Sequence, residues 1–94
     1  MSSPSEAVIS AGRRLQILTA LSLRPQYRAE PRNLRQELEV TGYPMTLTKL
    51  AVECAYLTDL GLVSAPDSGM FQLTDDGLAV VRGLIKLPGI GSPE

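Results

Sequence analysis

The fold is decided by residues 33–73, which read NLRQELEVTG (33–42), YPM (43–45), TLTKLAVECAYLTDLG (46–61) and LVSAPDSGMFQL (62–73). Leu34 and Leu38 are four residues apart, a spacing that predicts a short helix with one apolar face. Asn33 stands before that helix as a capping residue, with Gln36 three positions on. Gly42 marks its end, because glycine readily adopts the positive φ angle that terminates helices. The stretch therefore predicts a short helix that stops abruptly before a second one.

A longer helix is predicted after Thr46, whose hydroxyl is suited to cap it. Leu50, Cys54 and Leu57 follow one another at steps of four and three, which places them on one apolar stripe. Gly61 is expected to end the helix. The opposite, outward face is predicted to carry Thr46, Thr48, Lys49, Val52 and Glu53, with Ala51 as a further candidate.

The flanking segments complete one small domain. Residues 62–64 and 71–73 predict an antiparallel hairpin whose turn is Pro66, Asp67, Ser68 and Gly69. A first helix is predicted over residues 6–23, a very short strand over 27–29, and a last helix from Thr74 to Leu87. This order predicts a mostly helical protein with a small antiparallel β-hairpin, a winged helix-turn-helix fold. We expect the domain to cover residues 5–87, between flexible tails at 1–4 and 88–94.

Composition and charge allow several functions. The 94 residues suffice for one hydrophobic core, and 44% hydrophobic with 20% charged residues is ordinary for a folded domain. The net charge of −1 lacks the strongly basic character of most DNA-binding domains. However, residues 1–50 hold seven basic and four acidic side chains, whereas the remainder holds two and six. This asymmetry allows a basic face in the first half.

Catalysis and membrane insertion are not expected. The chain has no histidine, no glycine-rich phosphate loop and no metal-ligand spacing, so we predict a protein that is not an enzyme and uses no cofactor or metal. The single cysteine, Cys54, is predicted to be a small buried hydrophobic residue. No apolar run reaches the length of a membrane span, and the start of the chain lacks a signal-peptide pattern. We therefore expect a cytoplasmic protein.

The first functional hypothesis is a DNA-binding regulator that recognises double-stranded DNA. The second helix of a helix-turn-helix pair enters the major groove, so Thr46, Thr48 and Lys49 are the predicted base-reading residues. Three arginines near the preceding helix are predicted to neutralise phosphates: Arg28, Arg32 and Arg35. Glu53 is expected to repel phosphate, and the predicted hairpin tip carries Asp67 in place of a basic residue.

The second hypothesis is a protein-interaction module on the same scaffold. The last predicted helix has two apolar stripes, one more than a small core buries, so Val80, Leu84 and Leu87 predict contact with a partner. A second copy of the chain is the simplest partner, which makes a homodimer. Leu47, Ala51 and Val52 would extend the contact surface to a phage or host protein.

Four motifs also carry a family resemblance. They are RLQIL (14–18), YLTDLGLV (56–63), LTDDGL (73–78) and LPGIGSP (87–93). Together they resemble the small winged-helix proteins of Mu-like phages and prophages, over about residues 13–93. That group is broadly similar in fold to the ArsR and MarR regulators. The resemblance implies a phage-derived winged-helix protein, and fold analogy favours the DNA-binding regulator. The cysteine and histidine clusters with which ArsR proteins sense metals have no counterpart here, so metal sensing is not implied.

Overall fold

The computed structural model describes residues 4–65 and 69–92. The elements follow in the order α1 (Pro4–Ser22), a 3₁₀ turn (Pro25–Tyr27), β1 (Arg28–Ala29), α2 (Pro31–Val40), α3 (Leu47–Asp59), β2 (Val63–Ser64), β3 (Phe71–Leu73) and α4 (Asp75–Val81). The three strands form one antiparallel sheet in the order β1-β3-β2. This arrangement confirms the predicted winged helix-turn-helix fold. The predicted hairpin turn around Asp67 lies outside the described residues.

Helix α1 is continuous through Gly12 and forms one side of the core. Its second half supplies Ile17, Leu18 and Leu21, which are fully buried. By contrast, Val8 and Ile9 in the first half are 71% and 55% exposed. The core therefore lies under the second half of α1, where α2, α3, the sheet and α4 pack against it.

The helix-turn-helix pair begins three residues earlier than predicted. Helix α2 starts at Pro31, after Glu30 as the N-cap, so Asn33 lies inside the first turn and the prediction that it caps the helix was wrong. Proline fixes a helical φ and lacks the amide that would otherwise go unbonded, so it is favoured at the first helical position. The end of α2 is as predicted, because Gly42 has a φ of +91°. The Tyr43 amide then donates to the Leu38 carbonyl at 2.8 Å, which closes the turn.

Helix α4 is shorter than the sequence suggested. Thr74 caps it as predicted, its Oγ1 accepting a hydrogen bond from the Gly77 amide at 3.1 Å. The helix ends at Val81, and the predicted extension to Leu87 was wrong. Gly83 explains the difference: its φ is +75°, and the Leu84 amide donates to the Ala79 carbonyl at 2.9 Å. This is the same glycine-centred ending that stops α2.

The segment after α4, residues 87–92, packs back onto the domain. Leu87 and Ile90 contact the hydrophobic core, and the Gly91 amide donates to the Ala11 carbonyl of α1 at 2.9 Å. We call residues 87–92 the C-terminal segment. The sequence predicted that Leu87 ends the last helix and that residues 88–94 form a flexible tail, so these contacts were not anticipated.

Candidate nucleic-acid interface

The exposed side of α3 starts at its first turn. Thr46 caps the helix, and its Oγ1 accepts a hydrogen bond from the Lys49 amide at 3.0 Å. Beyond the cap, Leu47 and Val52 are 41% and 55% exposed, and Thr48 is exposed as well. We call this surface the α3 face; its members are Thr46, Leu47, Thr48, Lys49, Ala51 and Val52. It offers hydroxyl groups, one cation and apolar side chains.

The start of α2 adds two further cations beside the α3 face. Arg32 and Arg35 line a concavity of about 460 Å³ together with Asn33, Gln36 and Leu47. The Arg35 Nη1 atom is 3.9 Å from Glu39 Oε2, an ion pair between two well-exposed groups of the kind that contributes little to stability. The Arg32 side chain makes no hydrogen bond or ion pair within residues 4–65 and 69–92. The two guanidinium groups are therefore accessible to an anion.

Arg28 is placed differently from the other predicted basic residues. It lies on β1, opposite Gln72 of β3, and its guanidinium donates a hydrogen bond to the side-chain oxygen of Gln26. It does not line either of the concavities beside α3. Five of the six predicted DNA-binding residues thus lie on α2, on α3 or at the α3 N-cap, whereas Arg28 is on the sheet.

An apolar groove, which the sequence analysis missed, adjoins the α3 face. Its volume is about 370 Å³. It is lined by Pro31, Leu47, Leu50, Ala51 and Phe71, with Glu30, Arg32 and Gly69 completing the wall. The groove joins the start of α2, the first turns of α3 and the hairpin, so no local sequence pattern shows it.

Glu53 is buried, and its predicted place on the outward face was wrong. Its exposure is only 2%, and its Oε2 atom lies 3.3 Å from Arg14 Nε of α1. Its Oε1 atom lies 3.9 Å from Lys49 Nζ, one turn earlier on α3. Helical spacing explains the burial: Glu53 follows Leu50 by three residues and precedes Leu57 by four, so it belongs to the core stripe. Its charge therefore does not face a ligand at the α3 face.

Arg14 completes this internal charge cluster. Its guanidinium lies 3.9 Å from the centre of the Tyr56 ring, and its Nη1 donates to the Gly89 carbonyl at 3.0 Å. We call Arg14, Lys49, Glu53, Tyr56 and the Gly89 carbonyl the Arg14 cluster. Its one signal in the sequence is Glu53 on an apolar stripe, because a buried acid requires a cation as its partner.

Cys54 has no reactive character. It is fully buried and free, and burial, assisted by the nearby negative charge of Glu53, raises the pKa of its thiol to about 12. The thiol is therefore protonated at neutral pH, and the thiolate is the nucleophilic and metal-binding form. Among residues 4–65 and 69–92, no three His, Cys, Asp or Glu side chains group as a metal site would require.

The predicted partner-contact residues are divided between the core and the surface. Val80 is 2% exposed and belongs to the chain's own core, so its prediction as a partner contact was wrong. With the helix ending at Val81, Leu84 lies beyond it and is 75% exposed, while Leu87 is half-buried against the core. Leu47 and Val52 are exposed on the α3 face. The first half of α1 adds Val8 and Ile9, which line a concavity of about 500 Å³ with Gly12, Arg13, Gly42, Tyr43 and Pro44.

Comparison of the chain with protein-family models, with curated proteins and with solved structures found no match. The class that fold and geometry define is a small winged helix-turn-helix domain. Within the part of the chain that the structure describes, no helix combines the length and the apolar character that crossing a bilayer requires.

Proposed function

We propose that this protein is a DNA-binding winged-helix protein that acts as a dimeric transcription regulator of a phage or prophage. The observation that carries the proposal is that Arg32 and Arg35 line one concavity with Leu47, the first residue of α3, and that Lys49 is exposed in the first turn of the same helix. In helix-turn-helix proteins that end of the second helix approaches base edges, and basic side chains around it bind phosphates. The phage assignment rests on the resemblance of the four sequence motifs.

Burial of Glu53 supports DNA binding at this surface. An exposed carboxylate on the α3 face would repel phosphate, but Glu53 is enclosed and paired with two cations. Two carboxylates remain near the arginines: Glu39, 3.9 Å from Arg35, and Glu30, which lines the apolar groove with Arg32. We therefore assign phosphate binding to Arg32 and Arg35, with Arg28 extending the contact along the sheet.

The side chains of the α3 face suit a limited base readout. Lys49 can donate to guanine, and the hydroxyls of Thr46 and Thr48 can bond to several bases. Leu47 and Ala51 can contact thymine methyl groups, since those groups are recognised by apolar contact. The set predicts modest sequence preference for a single domain, which a dimer that binds two half-sites would increase. Leu84 and the exposed first half of α1 are the surfaces we assign to dimer formation.

One observation favours a second candidate function, a protein-interaction module that does not bind DNA. The apolar groove lies directly beside Leu47 and Ala51, and Val52 is exposed nearby. A phage or host protein that inserts an apolar side chain into the groove would bury this surface. Both candidates are non-enzymatic, and neither requires a reactive thiol at Cys54.

Fluorescence anisotropy with duplex DNA of mixed sequence tests the first proposal. The protein should bind at about 50 mM salt and release DNA steeply towards about 200 mM, because phosphate binding displaces counterions. The double variant Lys49→Ala, Arg35→Ala should reduce the slope of log affinity against log salt by about 2. Arg82→Ala is the matched control, because Arg82 is exposed after α4, outside the candidate interface. Light scattering on the same sample should give a dimer.

Absence of binding at low salt would contradict the regulator proposal. The interaction-module proposal then predicts that Val52→Asp abolishes capture of a partner while salt has little effect. Equal loss of DNA affinity in the Arg82→Ala control would show non-specific attraction without a defined site.

A further inference from the structure

The Glu53 carboxylate is shared between two cations that approach from different sides. Arg14 reaches Oε2 from α1 at 3.3 Å, and Lys49 reaches Oε1 from the α3 face at 3.9 Å. The side chain of Lys49 is 45% exposed, whereas that of Arg14 is 19% exposed. One negative charge is thus balanced by an internal cation and an external one.

The internal cation is fixed by the C-terminal segment. The Gly89 carbonyl accepts a hydrogen bond from Arg14 Nη1 at 3.0 Å, and Tyr56 supports the guanidinium at 3.9 Å. The segment is itself attached to α1 through the Gly91 amide and the Ala11 carbonyl, 2.9 Å apart. Displacement of the segment would remove one of the three contacts that hold Arg14 beside Glu53.

We propose that Arg14 is a positioning residue that makes Lys49 available to an anionic ligand, and that the C-terminal segment holds Arg14 in this role. A buried carboxylate without a cation is costly. With Arg14 in place, Lys49 can leave Glu53 because the carboxylate remains paired. Without Arg14, Lys49 must stay beside Glu53. The competition of Arg14 and Lys49 for Glu53 does not depend on any ligand. Its consequence for DNA binding rests on the proposed function.

A double-mutant cycle measures the competition without any ligand. Urea unfolding is compared for the parent protein, Lys49→Gln, Arg14→Gln and the double variant. We expect Lys49→Gln to lower the folding equilibrium constant about fivefold more when Arg14 is absent than when it is present, equivalent to about 1 kcal/mol. The coupling should disappear in a Glu53→Gln background. Additive effects, or coupling that persists without Glu53, would overturn the proposal.

A matched cycle and a conservative variant separate this effect from general loss of stability. Arg13→Gln combined with Lys49→Gln should be additive, because Arg13 belongs to the concavity formed with Tyr43 and Pro44. Arg14→Lys keeps a cation near Glu53, so it should restore at least half of the coupling lost in Arg14→Gln. It also supplies a folded test protein if Arg14→Gln does not fold. No rescue by lysine would contradict a charge-based role.

The role of the C-terminal segment is tested by Gly89→Ala. Gly89 has a φ of +81°, and an added Cβ would lie 2.5 Å from the Tyr56 hydroxyl oxygen and 3.1 Å from Arg14 Nη1. Gly61→Ala is the control, because Gly61 has a similar φ of +76° with open space around the added carbon. We expect Lys49→Gln to lower the folding equilibrium constant by a factor roughly three times larger in the Gly89→Ala background than in the Gly61→Ala background. Equal effects of Lys49→Gln in the two backgrounds would show that the C-terminal segment does not hold Arg14 beside Glu53.

The DNA measurement distinguishes the two proposals. Arg14→Gln should reduce the salt slope by about 1, as Lys49→Gln does, although Arg14 is not on the α3 face. Coupling in the stability cycle together with no DNA binding by the parent protein would support the Arg14 role and overturn the DNA-binding function. DNA binding by the parent protein together with an additive stability cycle would support the DNA-binding function and overturn the Arg14 role.

Discussion

On helix α3 a charged residue is buried and the apolar residue next to it is exposed, which is the reverse of what a surface helix usually shows. Its inner side contains Glu53, which is 2% exposed, while the adjacent Val52 on the outer side is 55% exposed. Position along the helix determines burial, because neighbouring residues differ by about 100° around the axis. The chain stabilises the buried acid with Arg14 from another element. No described contact covers the exposed valine, so this surface is the better candidate for contact with another molecule.

The largest effect is expected from removal of the internal cation. Arg14→Leu leaves Glu53 buried with only Lys49 nearby, and should lower the free energy of unfolding by about 3 kcal/mol. Chemical denaturation at neutral pH measures the change. Arg13→Leu is the control and should change it by less than about 0.5 kcal/mol, as is usual away from buried networks. Similar losses in the two variants would show that the Arg14 cluster has no special part in stability.

A smaller effect is expected when the acid is removed instead. Glu53→Leu completes the apolar stripe of α3, while Arg14 keeps its contacts with Tyr56 and the Gly89 carbonyl. We expect a loss of about 1 kcal/mol in the same unfolding measurement, because buried ion pairs are often replaced by apolar side chains at low cost. If Glu53→Leu lost as much stability as Arg14→Leu, the two members of the pair would be equally costly to remove. That result would contradict the prediction, which rests on Glu53 being more deeply buried than Arg14.

Most of the fold could be predicted from local patterns. The capping threonines, the glycines that end α2 and α3, and the alternation in the hairpin each act over four or five residues, so the sequence displays them. Helix α4 was predicted too long because its apolar spacing continues to Leu87, past Gly83, whose positive φ ends the helix. Asn33 was predicted to cap α2 because of its residue type and the position of Gln36, whereas the helix starts at Pro31.

The third prediction concerns ionisation of the buried Cys54 thiol. The unfolded Cys54 thiol ionises near its ordinary pKa of 9.0, whereas the folded thiol has a pKa of about 12. Above pH 9 the unfolded state therefore holds fewer protons than the folded state, so rising pH favours unfolding. Between pH 9 and pH 10 the parent should lose about 1 kcal/mol of stability more than Cys54→Ala. Below pH 8 the two proteins should respond to pH alike.

That difference between the two proteins isolates the thiol from tyrosine and lysine titrations, which both share. If the parent and Cys54→Ala lose stability in parallel up to pH 10, the thiol ionises in the folded protein and the interior beside Glu53 is open to water.

The candidate site was less predictable than the fold because its determinants are non-local. The sequence correctly places Thr48 and Lys49 on an exposed helix surface, since helical spacing alone decides that. It does not show that Arg14, 39 residues before Glu53, reaches the same carboxylate. Nor does it show that Phe71 and Pro31 line one groove. Residue type was also misleading, since Glu53 was assigned outward for its charge although its spacing matched the core.

The smallest change in stability is expected on the outer side of α3. Val52→Lys should alter the free energy of unfolding by less than about 0.5 kcal/mol, because the side chain is exposed and lysine is a good helix former. If the α3 face binds DNA, the added cation should steepen the salt slope by about 1. Val40→Lys makes the same substitution at an 86% exposed position at the far end of α2, and should leave the slope almost unchanged. Equal slopes for the two variants would place DNA elsewhere, whereas a large loss of stability in Val52→Lys alone would mean that position 52 is not the free surface that its exposure indicates.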